Sequence, residues 1–370
     1  MRRRITSLCV AVALLGLCAS PAAAAAGVTF ERGYAAVDGR PFFPIGVYTY
    51  RLDRATLDEL KGMGFNTVVA GFEPDQLPLI HEARMKAICV DGPEWRAAAP
   101  NHPALLGWYL MDEPEGGKTV PEVLAAYRRL KRADPSHPVG LVHSMFEAIS
   151  IFRDCADFTM PDVYPVTAER DAPLASVARY VDEARRVHGE GWPCWPFIQA
   201  FGGPDTDGGK WALPTPREVR CMTFLAVAHG ATGVLYFSHW PQGGETWRSL
   251  AGLNRDLTRV VPWLVAADGE EVGAASSRAE VHLRVRRVGG DYLVIAVNDS
   301  REAVRAGLRV DGLGATALHG GDAGSRVTPV AGAWEEAFEP LGVKLFYSKR
   351  PDAADTAEAE AEGSARRERH

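Results

Sequence analysis

The chain has 370 residues, of which 46% are hydrophobic and 24% charged, with a formal net charge of −6. An acidic chain without a basic cluster argues against a nucleic-acid partner. Beyond the N-terminal segment no apolar stretch is long enough to cross a bilayer, so stable membrane insertion is not expected, and the length suggests two domains plus a tail.

Residues 1–26 read as a secretory signal peptide. Arg2, Arg3 and Arg4 form a charged start, Ile5 to Leu17 an apolar core, and Pro21 to Ala26 a small-residue stretch suited to cleavage. The expectation is an exported protein, secreted or periplasmic. Bulky Leu17 before Cys18 argues against lipidation. Beyond the signal, Cys89, Cys155, Cys194 and Cys221 are widely spaced. Two disulfides and four buried thiols are both open, and no Cys-x-x-Cys pair or other metal-ligand spacing suggests a metal.

Gly27 to Pro41 reads as a small hairpin region, followed by a first strand at Phe42 to Tyr50. A helix at Arg54 to Met63 stops at Gly64. Strands follow at Asn66 to Ala70, Lys86 to Val90, Leu105 to Met111, Val139 to His143, Phe158 to Val163, Pro196 to Phe201 and Gly233 to Phe237. Helical sequence separates them at Gln76 to Ala83, Val120 to Ala133, Glu147 to Arg153, Leu174 to Val187 and Arg217 to His229. A last helix spans Glu245 to Val261, with Pro262 disrupting its end. Eight strands, each followed by helical or helix-like sequence, imply a parallel sheet and match an α/β fold of the (β/α)8 barrel type, the TIM barrel. An open doubly wound sheet would want an early Gly-x-Gly-x-x-Gly loop, and none is present.

From about Ala274 the pattern changes to period two. The stretches at Glu280 to Arg287, Asp291 to Asn298, Arg305 to Val310, Arg326 to Val330 and Val343 to Ser348 read as a small antiparallel β-sandwich. The expected organisation is signal peptide 1–26, barrel 27–270, β-sandwich 271–349 and a disordered tail 350–370.

In a barrel the chemistry sits at the carboxyl ends of the strands. The fourth strand ends abruptly in Asp112, Glu113 and Pro114. Carboxylates there are costly unless they face a wet cavity. The other ends bring Tyr48, Asp91, His143, Asp162, Tyr164, Gln199 and Trp240 to the same rim. Aromatic faces stack on sugar C–H surfaces, and carboxylates bond hydroxyls or transfer protons. Each has a plainer alternative. Asp112 could simply cap a loop, His143 could be a bonded strand-end residue, and Asp91 before Gly92 could be a turn residue. Gly202-Gly203 and Gly208-Gly209 read as a mobile loop, and Trp192, Trp195, Trp211 and Trp247 as platforms or core.

These motifs resemble the large clan of (β/α)8 glycoside hydrolases. Gly39-Arg-Pro-Phe-Phe-Pro-Ile-Gly46 resembles the lead-in to their first strand. Gly107-Trp-Tyr-Leu-Met-Asp-Glu-Pro114 resembles the fourth-strand Asn-Glu-Pro motif in an Asp-Glu-Pro form. Asp162-Val-Tyr-Pro165 and Gly233-Val-Leu-Tyr-Phe-Ser-His-Trp240 resemble the sixth and eighth strands. The resemblance implies hydrolysis of O-glycosidic bonds of a poly- or oligosaccharide, without a cofactor. Glu113 would be the general acid/base and Asp112 would contact the sugar 2-hydroxyl. Tyr164 would orient the second catalytic group, and Trp240 would be a stacking platform. One departure matters: the clan's seventh-strand nucleophile Glu is replaced by Gln199, and an amide cannot attack an anomeric carbon. Three readings stay open. The reaction could invert, with Asp162, Asp91, Glu73 or Glu245 activating water. Gln199 could position a substrate acetamido group. Or the barrel could bind glycan without cleaving it.

Overall fold

A computed structural model describes residues 27–50, 52–170, 172–237, 244–321 and 325–349. The expected signal peptide, the expected tail and Trp240 lie outside the described residues.

Strands β1 (Val28–Glu31), β2 (Tyr34–Val37) and β3 (Arg40–Phe42) form a small antiparallel sheet. It closes the amino-terminal end of a barrel. Phe30 contacts Phe158 and Trp195 edge-on, with ring centroids 6.0 and 5.9 Å apart. Val28 and Ala35 join the same buried cluster as Ile88, Leu106, Val142 and Leu235 inside the ring. The plug leaves the carboxyl end of the strands as the open mouth.

The barrel strands are β4 (Ile45–Tyr48), β5 (Thr67–Val69), β6 (Lys86–Val90), β7 (Leu105–Tyr109), β8 (Val139–His143), β9 (Phe158–Pro161), β10 (Phe197–Gln199) and β11 (Val234–Phe237). All neighbouring pairs are parallel, in the order β10-β11-β4-β5-β6-β7-β8-β9. The ring closes just before β10, where Thr159 N donates to Pro193 O (3.1 Å) and Trp195 N to Thr159 O (2.9 Å). The fold is a (β/α)8 barrel.

Around it lie α1 (Arg54–Gly62), α2 (Leu77–Glu82), α3 (Pro93–Ala98), α4 (Val120–Ala133), α5 (Ala148–Ile151), α6 (Ser176–His188), α7 (Pro216–Ala228) and α8 (Glu245–Val265). Helix α4 starts on a capping box: the Glu122 carboxylate accepts from Thr119 N and Oγ1 at 2.8 and 2.7 Å. Trp108 sits behind its strand among the helices and donates to Asp134 (2.9 Å). Two helices differ from the sequence reading. A short helix, α3, follows β6, and α8 runs through Pro262 to Val265. A proline inside a helix costs about 3 kcal/mol. Complete burial of Val260 and Leu264 returns roughly 2 kcal/mol each, and Arg286 bonds the Trp263 carbonyl (3.2 Å). Packing therefore outweighs the local penalty.

Two antiparallel sheets follow. One orders β12 (Glu270–Glu271), β14 (Val281–Val288), β15 (Asp291–Asn298), β20 (Val343–Tyr347), β17 (Leu318–Gly320) and β18 (Arg326–Val327). The other orders β13 (Ala274–Ser276), β16 (Val304–Val310) and β19 (Ala333–Phe338). The unbroken apolar run in β15 has a physical cause, because both its faces are buried. Leu293, Ile295 and Val297 join the barrel's outer core, while Val294 and Ala296 join Leu308 and Phe346 between the two sheets. Polar contacts reinforce this docking. Arg284 donates to Val227 O (2.7 Å), and a chain of contacts links Asp182, His229, His282 and Asp299 at 2.8, 2.9 and 3.2 Å.

Cys89, Cys155, Cys194 and Cys221 are all buried free thiols, which settles the two open readings against disulfides. Burial raises each thiol's pKa above its ordinary value.

Candidate active site

The barrel mouth is a cleft of about 560 Å³. Its polar side carries Asp112, Glu113 and Asp162. Its walls are aromatic: Tyr48, Tyr50, Tyr109, Tyr164, Phe197, Phe201, Trp211 and Phe237. Asp205, Thr206 and Asp207 complete the rim.

Glu113 stands at the turn that ends the β7 segment. Its backbone is left-handed, with φ 37° and ψ 61°. For a residue other than glycine this costs about 1–2 kcal/mol, and strain of this kind concentrates at functional positions. Pro114 then forbids a ladder bond and turns the chain into a short 3-10 segment. Together they bring the Glu113 side chain to the mouth rather than into a loop.

Its neighbours form a graded set of carboxyls. Asp162, held by a backbone bond from its N to His143 O (3.0 Å), is only 6% exposed. Among the described residues no donor reaches its Oδ1. Burial, then a hydrogen-bonding interaction with Glu113 and the charges of Glu113, Asp112 and Glu115, hold its pKa well above the usual carboxylate range. Asp162 therefore keeps its proton where an ordinary carboxyl has lost it, and it forms a carboxyl pair with Glu113. Asp112 opens to solvent, and Tyr109 donates to its Oδ1 at 2.5 Å. Desolvation still raises its pKa against that bond, with help from Glu113 and Glu115. Glu115 behaves oppositely. Burial favours its neutral form, but the bond to His143 (3.4 Å) and the donors Ser144 N (2.8 Å) and Met145 N (3.0 Å) win, and its pKa falls. Glu115 is therefore a fixed negative charge behind the pair.

The aromatic wall is a contiguous cluster. Tyr164 meets Phe201 at 4.9 Å, Phe237 at 5.7 Å and Trp211 at 6.0 Å, while Tyr48 meets Tyr50 and Phe237 at 5.1 Å each. Tyr50 is 48% exposed at the rim. Such a wall offers flat faces to a sugar ring, and the carboxyls beside it serve the ring's hydroxyls.

Of the residues expected at the site, Asp112, Glu113, Asp162, Tyr48 and Tyr164 share the cleft. Asp91 and His143 do not line it. Asp91 pairs with Arg96 and with Arg129 (2.9 Å), tying α3 to α4, and His143 is buried against Glu115 and Phe152. Glu73 caps a 3-10 turn and Glu245 starts α8, both outside the cleft. Trp192, Trp195 and Trp247 are not in the cleft, while Trp211 is. Sequence reasoning missed Tyr109, Asp205 and Asp207. Tyr109 was readable as the last inward residue of β7; the aspartates sit in a loop without periodicity.

Gln199 also lies outside the cleft, fully buried. Its Oε1 accepts from Val166 N (2.8 Å). Its Nε2 faces three carbonyls: Val166 (3.0 Å), Phe201 (3.3 Å) and Ala212 (3.3 Å). Three acceptors demand a donor there, which a carboxylate is not. The site has no room for the role of positioning a substrate amide. Gln199→Glu is expected to destabilise the protein by about 2–4 kcal/mol, because it leaves buried carbonyls facing a carboxylate. Chemical denaturation of the variant beside wild type reads this directly; an unchanged midpoint would contradict the clamp.

No family model and no curated protein matches the chain. Solved structures do. A family 5 glycoside hydrolase from Bacteroides vulgatus is similar with TM-score 0.60 and 14% identity, covering 87% of this chain and 93% of its own. A GH30 endoxylanase from Clostridium papyrosolvens gives 0.54 and 11%, covering 87% and 97%. An α-amylase from Geobacillus thermoleovorans, complexed with acarbose, gives 0.56 and 11%, covering 82% and 98%. The chain thus has the fold of (β/α)8 glycoside hydrolases, at identities that speak for fold alone.

Proposed function

We propose that this protein hydrolyses O-glycosidic bonds of a poly- or oligosaccharide outside the cytoplasm. The observation that carries the reading is the Asp162–Glu113 carboxyl pair, set against an aromatic wall at the barrel mouth. Glu113 protonates the leaving oxygen. Asp162 stands beside Glu113, so its part is to share and hold the proton rather than to activate water. Asp112, steadied by Tyr109, is free to accept from a sugar hydroxyl. Tyr164, Tyr48 and Trp211 stack on the rings. No cofactor enters these steps. The fold of similar solved structures supports the reading.

The pair also sets the pH response. Losing the Asp162 proton places a further negative charge beside Glu113, a penalty that burial and the acidic neighbours carry to high pH, where activity falls. In Asp162→Asn that penalty is absent, and the alkaline limb of kcat/KM moves down by about one unit or more. An unmoved limb would separate Asp162 from the proton. The reading itself is tested by incubating the wild-type protein with aryl glycosides and polysaccharides. Release of aglycone or reducing ends supports it. Tight binding of one glycan without release would make the chain a glycan-binding protein.

A further inference from the structure

The cleft as described lacks one part that hydrolysis requires, a group opposite Glu113 to serve the anomeric carbon. Asp162 is on Glu113's own side, and Gln199, at the end of β10, is bonded entirely to backbone. Yet the cleft has carboxylates elsewhere. The loop after β10 carries Asp205 and Asp207 to its rim. In the ring, β10 lies three strands from β7 out of eight, so this loop starts well round the ring from Glu113 and lines the same cleft.

The loop is tied down at its base. Gly203 N donates to Trp211 O (2.8 Å), Thr206 N to Gly203 O (3.0 Å) and Ala168 N to Lys210 O (3.0 Å). Gly202 is obligatory there: at φ 147° a Cβ would fall 2.2 Å from the Ala212 backbone. The loop tip is therefore presented by a fixed frame. Of its two acids, Asp207 pairs with Lys210 (3.9 Å), while Asp205 engages in no ion pair among the described residues. In the same cleft, Asp162 Oδ1 is buried and has no hydrogen-bond partner among the described residues.

We infer that Asp205 is the second catalytic carboxylate, a general base delivered by the loop in place of a strand-end nucleophile. The inference rests on the glycosidase reading above. Asp205 removes a proton from water as the water oxygen bonds to the anomeric carbon. The bond from that carbon to the leaving oxygen breaks, and Glu113 gives its proton to that oxygen. Water and glycoside become sugar and alcohol, with inverted configuration and no outside reagent.

The test takes the full protein on an aryl glycoside it cleaves. Asp205→Asn is expected to lower kcat by about 10²–10⁴-fold with little change in KM. Added azide should restore turnover and yield a glycosyl azide of inverted configuration. NMR of the first sugar released by wild type should show inversion. Because Asp205 is exposed, the variant should keep the wild-type melting temperature. Retained configuration, or wild-type kcat in Asp205→Asn while Glu113→Gln is impaired, overturns this assignment and leaves the glycosidase reading standing. No turnover of any glycoside by wild type overturns both.

Discussion

Glu113→Gln should lower kcat/KM on unactivated glycosides by about 10²–10⁴-fold, roughly 3–5 kcal/mol of barrier. Gln has the shape of Glu but no proton to give. The loss should track the leaving group. Natural sugars leave as poor alkoxides and need the proton, whereas nitrophenolates leave almost without it. The variant should therefore keep much more of its activity on nitrophenyl substrates than on oligosaccharides. A uniform loss would point to a binding or packing defect instead. Glu113 is exposed, so the substitution should leave the fold intact, and a melting curve checks it.

The second large effect is on stability. Glu218, in the first turn of α7, is 2% exposed and meets Arg170 from the β9–α6 connection and Arg301 from the β15–β16 turn. Its Oε2 also accepts from Thr215 N (2.8 Å), closing the capping box. One carboxylate thus joins barrel loop, helix and β-sandwich. Burial opposes its charge, but Arg170, Thr215 and Arg301 prevail and bring its pKa to about 2. Glu218→Ala is expected to cost about 3 kcal/mol. The figure sits at the low end for a broken buried pair, because both arginines are partly exposed and can turn to water. The pH dependence has a definite sign. A depressed pKa gives stability that is complete above the ordinary carboxylate range and is lost as pH falls through that range toward about 2. The gap between wild type and Glu218→Gln should therefore be widest near neutrality and shrink below about pH 4. Denaturation midpoints over that range read it; a constant gap would deny the ionised role.

Much of the scaffold was legible in the chain itself. Lys86–Val90 and Val139–His143 are bounded as strands where apolar runs meet polar turns, and α4 spans Val120–Ala133 as its amphipathic pattern and the following Pro135 imply. Asp112 and Glu113 stood out because acids are costly after a buried strand. What escaped the sequence depended on tertiary contacts. Pro262 stays helical because Leu264 is buried, which no local rule contains. Gln199, which the resemblance implies in the place of a catalytic Glu, has its amide captured by three carbonyls, and only the folded loops supply them. Asp162 stands out in the sequence as an acid, but its interaction with Glu113, two strands away, depends on the folded ring. Asp205 and Asp207 lie in a glycine-rich loop whose closure by Gly203 and Trp211 brings them to the mouth.

The most direct measurement of the central claim is release of reducing ends from a broad set of oligo- and polysaccharides by wild type and Glu113→Gln, assayed together. The account predicts that wild type cleaves at least one of them and that the variant, equally folded, loses that activity by two orders of magnitude or more. Undiminished cleavage by Glu113→Gln would contradict it.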